Sequence, residues 1–289
     1  MPDQAHHLRE YVRQSRKRAR IISVASGKGG VGKTSISVNL AIALASHGRR
    51  VAVLDADLGL ANVEVLLGLN SLYNLQQVIQ GERSLSSILV EGPGGIHIVP
   101  GSSGIAKIAD LGPRARQNIL NGMEELQNSH DFVIIDTMAG IGQNAVSFAA
   151  AADEVLLVAT PEPSAIIDAY AMFKTICQMR DDAVFRLVVN MAINEQQAIA
   201  VAEKMDQVAR LYLERPLAFA GYIPRDPHVS RSIMQSAPFL LRFPGAPASL
   251  SMASLAKKLM NQPSHARQDE ERTGRGFLRR FAETLGLAS

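Results

Sequence analysis

The sequence predicts an α/β fold, a mainly parallel sheet covered by helices on both faces. Three observations predict it. Short apolar runs alternate with stretches whose apolar residues recur at helical spacing, as a sheet buried on both faces requires. Polar and turn-forming residues cluster where the runs end, which is where parallel sheets bind ligands. A glycine-rich loop separates the first run from the first helical stretch.

Residues 21–25 read as the first strand. Gly27 to Thr34 follow, and Ile36, Leu40, Ala43 and Leu44 give helical spacing up to Gly48, a helix stop. Residues 51–54 form the second strand and run into Asp55-Ala56-Asp57. Residues 96–99 form the third, followed by Pro100-Gly101. The fourth, 132–135, ends at Asp136, and the fifth, 155–159, is stopped by Pro161. The sixth, 187–189, ends at Asn190, and the seventh, 218–223, ends at Pro224. Helical stretches fall near 114–128, 142–152, 164–179 and 195–213. Three parts are expected: a polar, basic segment 1–20, an α/β domain 21–262, and a linker with a terminal helix over 263–289.

Composition narrows the function. Of 289 residues, 47% are hydrophobic, enough for a buried core, and 20% are charged, too few for a disordered polyelectrolyte. The single cysteine, Cys177, supplies no disulfide framework, zinc knuckle or cysteine-ligated cluster within one chain, and fits a reducing cytosol. Net charge is +3, which does not by itself imply nucleic acid, although Arg9, Arg13, Arg16, Lys17, Arg18 and Arg20 crowd the N-terminal segment. No run reaches the roughly 18 apolar residues of a membrane span. The most apolar stretch, 145–161, is broken by Asp153 and Glu154. The N-terminus lacks the apolar core of a signal peptide. A soluble protein with at most peripheral membrane contact is expected.

Gly27-Lys28-Gly29-Gly30-Val31-Gly32-Lys33-Thr34 fits G-x-x-x-x-G-K-[ST] between a predicted strand and a predicted helix, the context that confirms a phosphate loop. Glycines let backbone N–H groups wrap phosphate, and the helix N-terminus adds a favourable dipole. Lys33 is placed for the β and γ phosphates and the Thr34 hydroxyl for Mg²⁺; Ser35 completes the nucleotide-binding run. One short loop has little room for a second ammonium on the same phosphates, so Lys28 needs another role. The motif resembles the deviant Walker A sequence of the MinD/ParA ATPases. That resemblance implies a P-loop NTPase fold of the MinD kind and ATP as ligand. It also implies that Lys28 crosses to the partner's phosphates in an ATP-dependent homodimer.

Asp55 and Asp57 lie on one side of the second strand's end. The segment Asp55-Ala56-Asp57-Leu58-Gly59-Leu60-Ala61-Asn62 is similar to switch I of that family. The resemblance makes Asp57 the residue that orients the attacking water, with Asp55 and Asn62 in support and Asp55 near the metal. Asp136 resembles the Walker B acid that holds Mg²⁺, and Thr137-Met138-Ala139-Gly140 resembles switch II, with Met138 where Gly or Pro is usual. Asn190, Pro224, Arg225 and Asp226 fall where the family contacts adenine; Asn190 as a loop cap is the alternative.

The ends point to a biological system. Asp3-Gln4-Ala5-His6-His7-Leu8-Arg9 reads D-Q-A-x-x-L-R and looks like the N-terminal motif of the flagellar-number ATPases called FlhG, FleN or YlxH. In that family the segment is implied to bind and activate the FlhF-type signal-recognition GTPase, here through Asp3, Gln4, Ala5, Leu8 and Arg9. Contacts with flagellar basal-body proteins and a flagellar transcription activator are implied too.

Gly276-Phe277-Leu278-Arg279-Arg280-Phe281 resembles the membrane-targeting helix of MinD. Phe277, Leu278, Phe281 and Leu285 share one arc, with Arg279, Arg280 and Glu283 outside it. Two copies on an ATP dimer would bind a membrane by avidity, placing the protein in the cytoplasm and, when ATP-bound, on the inner face of the cell membrane. A helix docked on its own domain is the alternative; the polar linker favours mobility. A MinD-type division-site ATPase remains the second expectation, and a DNA-partitioning ATPase using Arg13 to Arg20 the third. Direct nucleic-acid binding is not expected, because it leaves the amphipathic tail unexplained. A carboxylating ligase with the same loop needs neither terminal segment.

Overall fold

The computed structural model describes residues 18–57, 59, 61–102, 111–262 and 276–284. The segment Asp3 to Arg9 and Leu285 lie outside them.

The sheet has eight strands: β1 (Arg20–Ala25), β2 (Val51–Ala56), β3 (Val90–Glu91), β4 (His97–Val99), β5 (Phe132–Thr137), β6 (Glu154–Ala159), β7 (Phe185–Ala192) and β8 (Ala218–Pro224). Their order is β3-β4-β2-β5-β1-β6-β7-β8. All pairings are parallel except β3 with β4. The seven expected strands are present. The eighth, β3, is a two-residue antiparallel edge with no periodicity to reveal it.

β1, β2, β5 and β6 are buried along their whole length, which is why they read as continuous apolar runs rather than alternating ones. On one face, Ile22, Val24, Val53 and Ile134 pack beneath α1 (Lys33–Ala45) and α11 (Pro247–Asn261). α2 (Asn62–Leu67) and α10 (Phe239–Arg242) pack at the margin of that layer. On the other face lie α3 (Leu75–Gln80), α4 (Leu85–Ile88), α5 (Pro113–Ser129), α6 (Gln143–Ala151), α7 (Pro163–Met179) and α8 (Glu195–Leu213). α9 (Pro227–Met234) follows β8.

One expectation is corrected where strands begin. Arg20, counted with the basic N-terminal segment, opens β1 and is buried. It pairs with Glu154, which also accepts from Arg186 Nε at 2.7 Å, and donates to the Leu259 carbonyl at 2.6 Å. Arg20 is therefore withdrawn from any nucleic-acid surface. Asp153 and Glu154 interrupt the apolar stretch in sequence, yet both are buried in the fold because arginines satisfy them.

The terminal helix, α12 (Phe277–Thr284), is docked and not free. Phe277 and Phe281 are fully buried, and the Phe281 ring packs 5.0 Å from that of Phe148 in α6. Leu278 packs partly buried on the same cluster. Arg280 is also buried, against its expected place outside the apolar arc. Its Nη2 meets Asp153 Oδ1 at 2.6 Å and its Nε donates to the Ala151 carbonyl at 2.9 Å. The apolar arc finds a complementary groove, and the arginine finds a buried acid beside it. Arg279 stays exposed and pairs with Glu283. In this conformation the face assigned to a lipid surface is the protein's own core.

Candidate functional site

β1 delivers the chain to the phosphate loop, which enters α1 at Lys33. Gly30 and Gly32 adopt φ of +77° and +90°, a region that favours glycine. Gly32 is also boxed in, since a Cβ there would lie 2.4 Å from Asn190 Nδ2. Gly27 packs against α7 so closely that a Cβ would sit 1.8 Å from the Asp168 carbonyl oxygen. Gly32 is the N-cap of α1 and offers no side chain to its first N–H groups. Those donors and the helix dipole favour an anion. Lys33 is buried at this end; burial lowers its pKa, against the pull of Asp136 and Asp57.

Asp55 on β2 and Asp136 on β5 are register partners. Asp136 accepts from Thr34 Oγ1 at 2.7 Å and from Ser37 Oγ at 2.8 Å. Burial pushes its carboxyl up to about 6, against those bonds and the Lys33 charge. Ser37 was not singled out by the sequence; its signal is the i+3 spacing from Thr34, which puts both hydroxyls on one face. Burial, then the Asp136 charge, raises the Asp55 carboxyl to about 8, although it accepts N–H bonds from Val63 and Asp57. Asp57 is only partly buried. Its Oδ2 accepts from Asn62 Nδ2 at 2.7 Å and its Oδ1 from Gly59 N at 3.1 Å, so Asn62 does hold the acid it was expected to support. Thr137 Oγ1 donates to the Val24 carbonyl, and Gly140 N to the Ser26 carbonyl. The segment after β5 thus lies against the phosphate loop, with Met138 packed partly buried under α6 to α8.

Lys28 does not curl back into its own loop. Its Nζ donates to Glu162 Oε2 at 2.8 Å and to Ser164 Oγ at 2.9 Å, at the start of α7. That hydrogen bond holds the Glu162 carboxyl below its ordinary range. An exposed pair of this kind is weak and readily exchanged for a phosphate. The sequence carries no signal for this pairing, which bridges 134 residues.

The expected adenine contacts divide. Asn190 Nδ2 donates to the Val31 carbonyl at 2.7 Å, so its amide clamps the phosphate loop. The next residue, Met191, sits at φ +59° where β7 and β8 shift register, a conformation no sequence pattern announced. Asp226 is buried as the N-cap of α9. Burial works against its charge, but N–H groups of Ala248 and His228 and the His228 ring keep its carboxyl below the usual range. Asp226 is thus committed within the fold, leaving Pro224 at the end of β8 and the exposed Arg225 beside it.

A phosphate loop, a buried lysine and hydroxyl–carboxylate pairs at parallel strand ends define a nucleoside-triphosphate-binding protein of the P-loop class. The family model ParA, described as NUBPL iron-transfer P-loop NTPase, matches residues 17–260. The chain belongs to the ParA family of P-loop NTPases. It is 41% identical over 265 residues to the antiactivator FleN of Pseudomonas aeruginosa, covering 92% of each chain. It is 37% identical over 191 residues to the flagellum site-determining protein YlxH of Helicobacter pylori, covering 66% of this chain and 64% of that one. In structure it is similar to the septum site-determining protein MinD from Pyrococcus horikoshii, solved with Mg-ADP. The TM-score is 0.70 at 26% identity, over 84% of this chain and 96% of that one.

Proposed function

We propose that the protein is an ATP-dependent dimerising ATPase switch that controls flagellar number and placement. The observation that carries this reading is Lys28: a second lysine at a complete phosphate loop, held by an exchangeable contact outside that loop. FleN and YlxH, a named antiactivator and a named flagellum site-determining protein, support the flagellar assignment.

Residues 20–262, from the start of β1, act as the ATPase domain. Lys33 and the loop amides bind the β and γ phosphates. Thr34 and Asp136, with Asp55 behind them, suit Mg²⁺: they offer hard oxygen donors and leave positions for phosphate and water. When bound, Mg²⁺ neutralises charge on the phosphates. Asp57 leaves its Asn62 contact to orient the attacking water. Lys28 exchanges Glu162 and Ser164 for the phosphates of a second copy, so triphosphate occupancy and dimerisation become one event. Arg225 and Pro224 border the base.

The terminal parts follow. The segment before β1 engages an FlhF-type GTPase through Asp3, Gln4, Ala5, Leu8 and Arg9. Basal-body proteins and a transcription activator are further partners; the name antiactivator supports the latter. Segment 263–289 carries the membrane helix, whose face opens only when α12 leaves its groove. Among the described residues no helix is long and apolar enough to cross a membrane. The proposed location, by analogy with the MinD relatives, is cytoplasmic, with peripheral contact on the inner face of the membrane when ATP is bound. The likeness to MinD keeps a division-site role as the second reading.

The test is light scattering with Mg-ATP and Mg-ADP, followed by FlhF-type GTP turnover with the full chain. ATP-specific dimers lost in Lys28→Ala support the switch. Dimers persisting in that variant refute the cross-subunit lysine. GTPase stimulation lost in Gln4→Ala supports the flagellar role, and absent stimulation returns the protein to the division-site reading.

A further inference from the structure

Ser102 follows β4 through Pro100 and Gly101, at the end of the sheet that carries the phosphate loop. This short segment is wedged against β2. A Cβ on Gly101 would lie 3.0 Å from Asp55 Cγ and 3.1 Å from the Asp55 carbonyl oxygen. On its other side the segment is pinned by Leu75 N, which donates to the Pro100 carbonyl at 3.0 Å. Ser102 is fully buried, and its hydroxyl has no hydrogen-bond partner among the described residues. Buried hydroxyls nearly always pair, and an unpaired one costs stability. Such a cost is retained most readily where another state of the protein recovers it.

Asp55 can supply the partner. Each of its carboxylate oxygens takes one backbone N–H, from Asp57 and Val63. In either protonation state a carboxyl has more acceptor positions than these two bonds fill, so Asp55 keeps capacity for a hydroxyl. We propose that Ser102 is a positioning residue of the ATPase site. Its hydroxyl donates to Asp55 when a bound nucleoside triphosphate resets the contact between the end of β2 and the Pro100–Ser102 segment. The bond fixes the strand end from which Asp57 projects two residues later. On the ATPase reading Asp57 faces the γ-phosphate, so the bond should form with the triphosphate and not with the diphosphate. This inference rests on the ATPase reading above.

The experiment uses the full chain with Ser102→Ala and Ser102→Cys beside the wild type. Without nucleotide, Ser102→Ala should melt about 2–4 °C higher, because the unpaired hydroxyl is gone. With Mg-ATP its KM should rise, because the bond already forms in the triphosphate-bound ground state, and its kcat should fall, because Asp57 is less well fixed; together kcat/KM should drop about tenfold or more. Cysteine, similar in size but a weak donor, should follow alanine in kcat. The extra thermal stabilisation that a non-hydrolysable ATP analogue with Mg²⁺ gives over Mg-ADP should shrink in both variants. Wild-type kcat and a wild-type analogue shift in Ser102→Ala would overturn the proposal. If the wild type turns over no ATP, the ATPase reading fails separately. The analogue-against-ADP shift then decides the role of Ser102, and an unchanged shift overturns it.

Discussion

Asp153→Asn should release α12 while leaving the helix sequence intact. In the wild type, Asp153 Oδ2 accepts from Ile21 N at 2.8 Å, and Oδ1 receives Arg280 Nη2 at 2.6 Å. An asparagine carbonyl can keep the β1 bond, but its amide then meets the guanidinium as donor against donor. Burial, then the neighbouring Arg180, already works against the Arg280 charge, and Asp153 and Asp182 oppose them. Losing a charge-assisted bond costs about 1.5–3 kcal/mol. A guanidinium left buried without its acid costs about 3–5 kcal/mol. Undocking avoids the larger cost by returning Arg280 to water. Because that cost is carried only by the docked state, it enters the docking constant in full, which should fall about a hundred- to a few thousandfold at ~1.4 kcal/mol per decade. Hydrogen exchange of the amides of residues 277–284 in nucleotide-free protein reads this directly. Wild-type protection in Asp153→Asn would refute the claim that the pair holds the helix. Flotation with anionic vesicles is the second arm. Asp153→Asn should float without nucleotide, and a released helix that leaves flotation unchanged would remove the membrane role.

Asp57→Ala should keep ATP-dependent dimers and lose about 10²–10⁴-fold in turnover; paired light-scattering and phosphate-release measurements check it, and near-normal turnover would relieve Asp57 of its role. Gly32→Ala forces a side chain into left-handed backbone against Asn190, so it should abolish nucleotide binding by titration calorimetry and destabilise the fold by about 1–3 kcal/mol. Asp55 and Asp136 have folded-state pKa values raised to about 8 and about 6 from 3.8. The folded state therefore binds the extra protons. Their contribution to stability is complete below about pH 4 and is lost as pH rises through 6 and then 8. Denaturant melts of nucleotide-free protein should show this decline, and Asp55→Asn should flatten it; equal slopes in the two proteins would place the titration elsewhere.

The parallel sheet was legible because its central strands are buried on both faces, which writes them as unbroken apolar runs. The phosphate loop was legible because its glycines and lysine must sit at fixed spacing. Asp55, Asp57 and Asp136 could be found because a strand ending in an acid at the ligand-binding edge is a local pattern. Asn62 lies within the same local segment as the acid it holds. What sequence could not show depends on partners far along the chain. Lys28 meets Glu162, Asn190 meets the Val31 carbonyl, and Arg280 meets Asp153 only after the chain has folded. The helical arc of Phe277 and Phe281 was correctly read as apolar, but amphipathicity does not say which apolar surface it meets. The groove beside Phe148 decides that, because it buries both rings and supplies the acid that lets Arg280 follow them inside. Local spacing thus determined the strands and the phosphate loop. Tertiary packing decided which charges are committed within the fold and which are held by contacts weak enough to exchange.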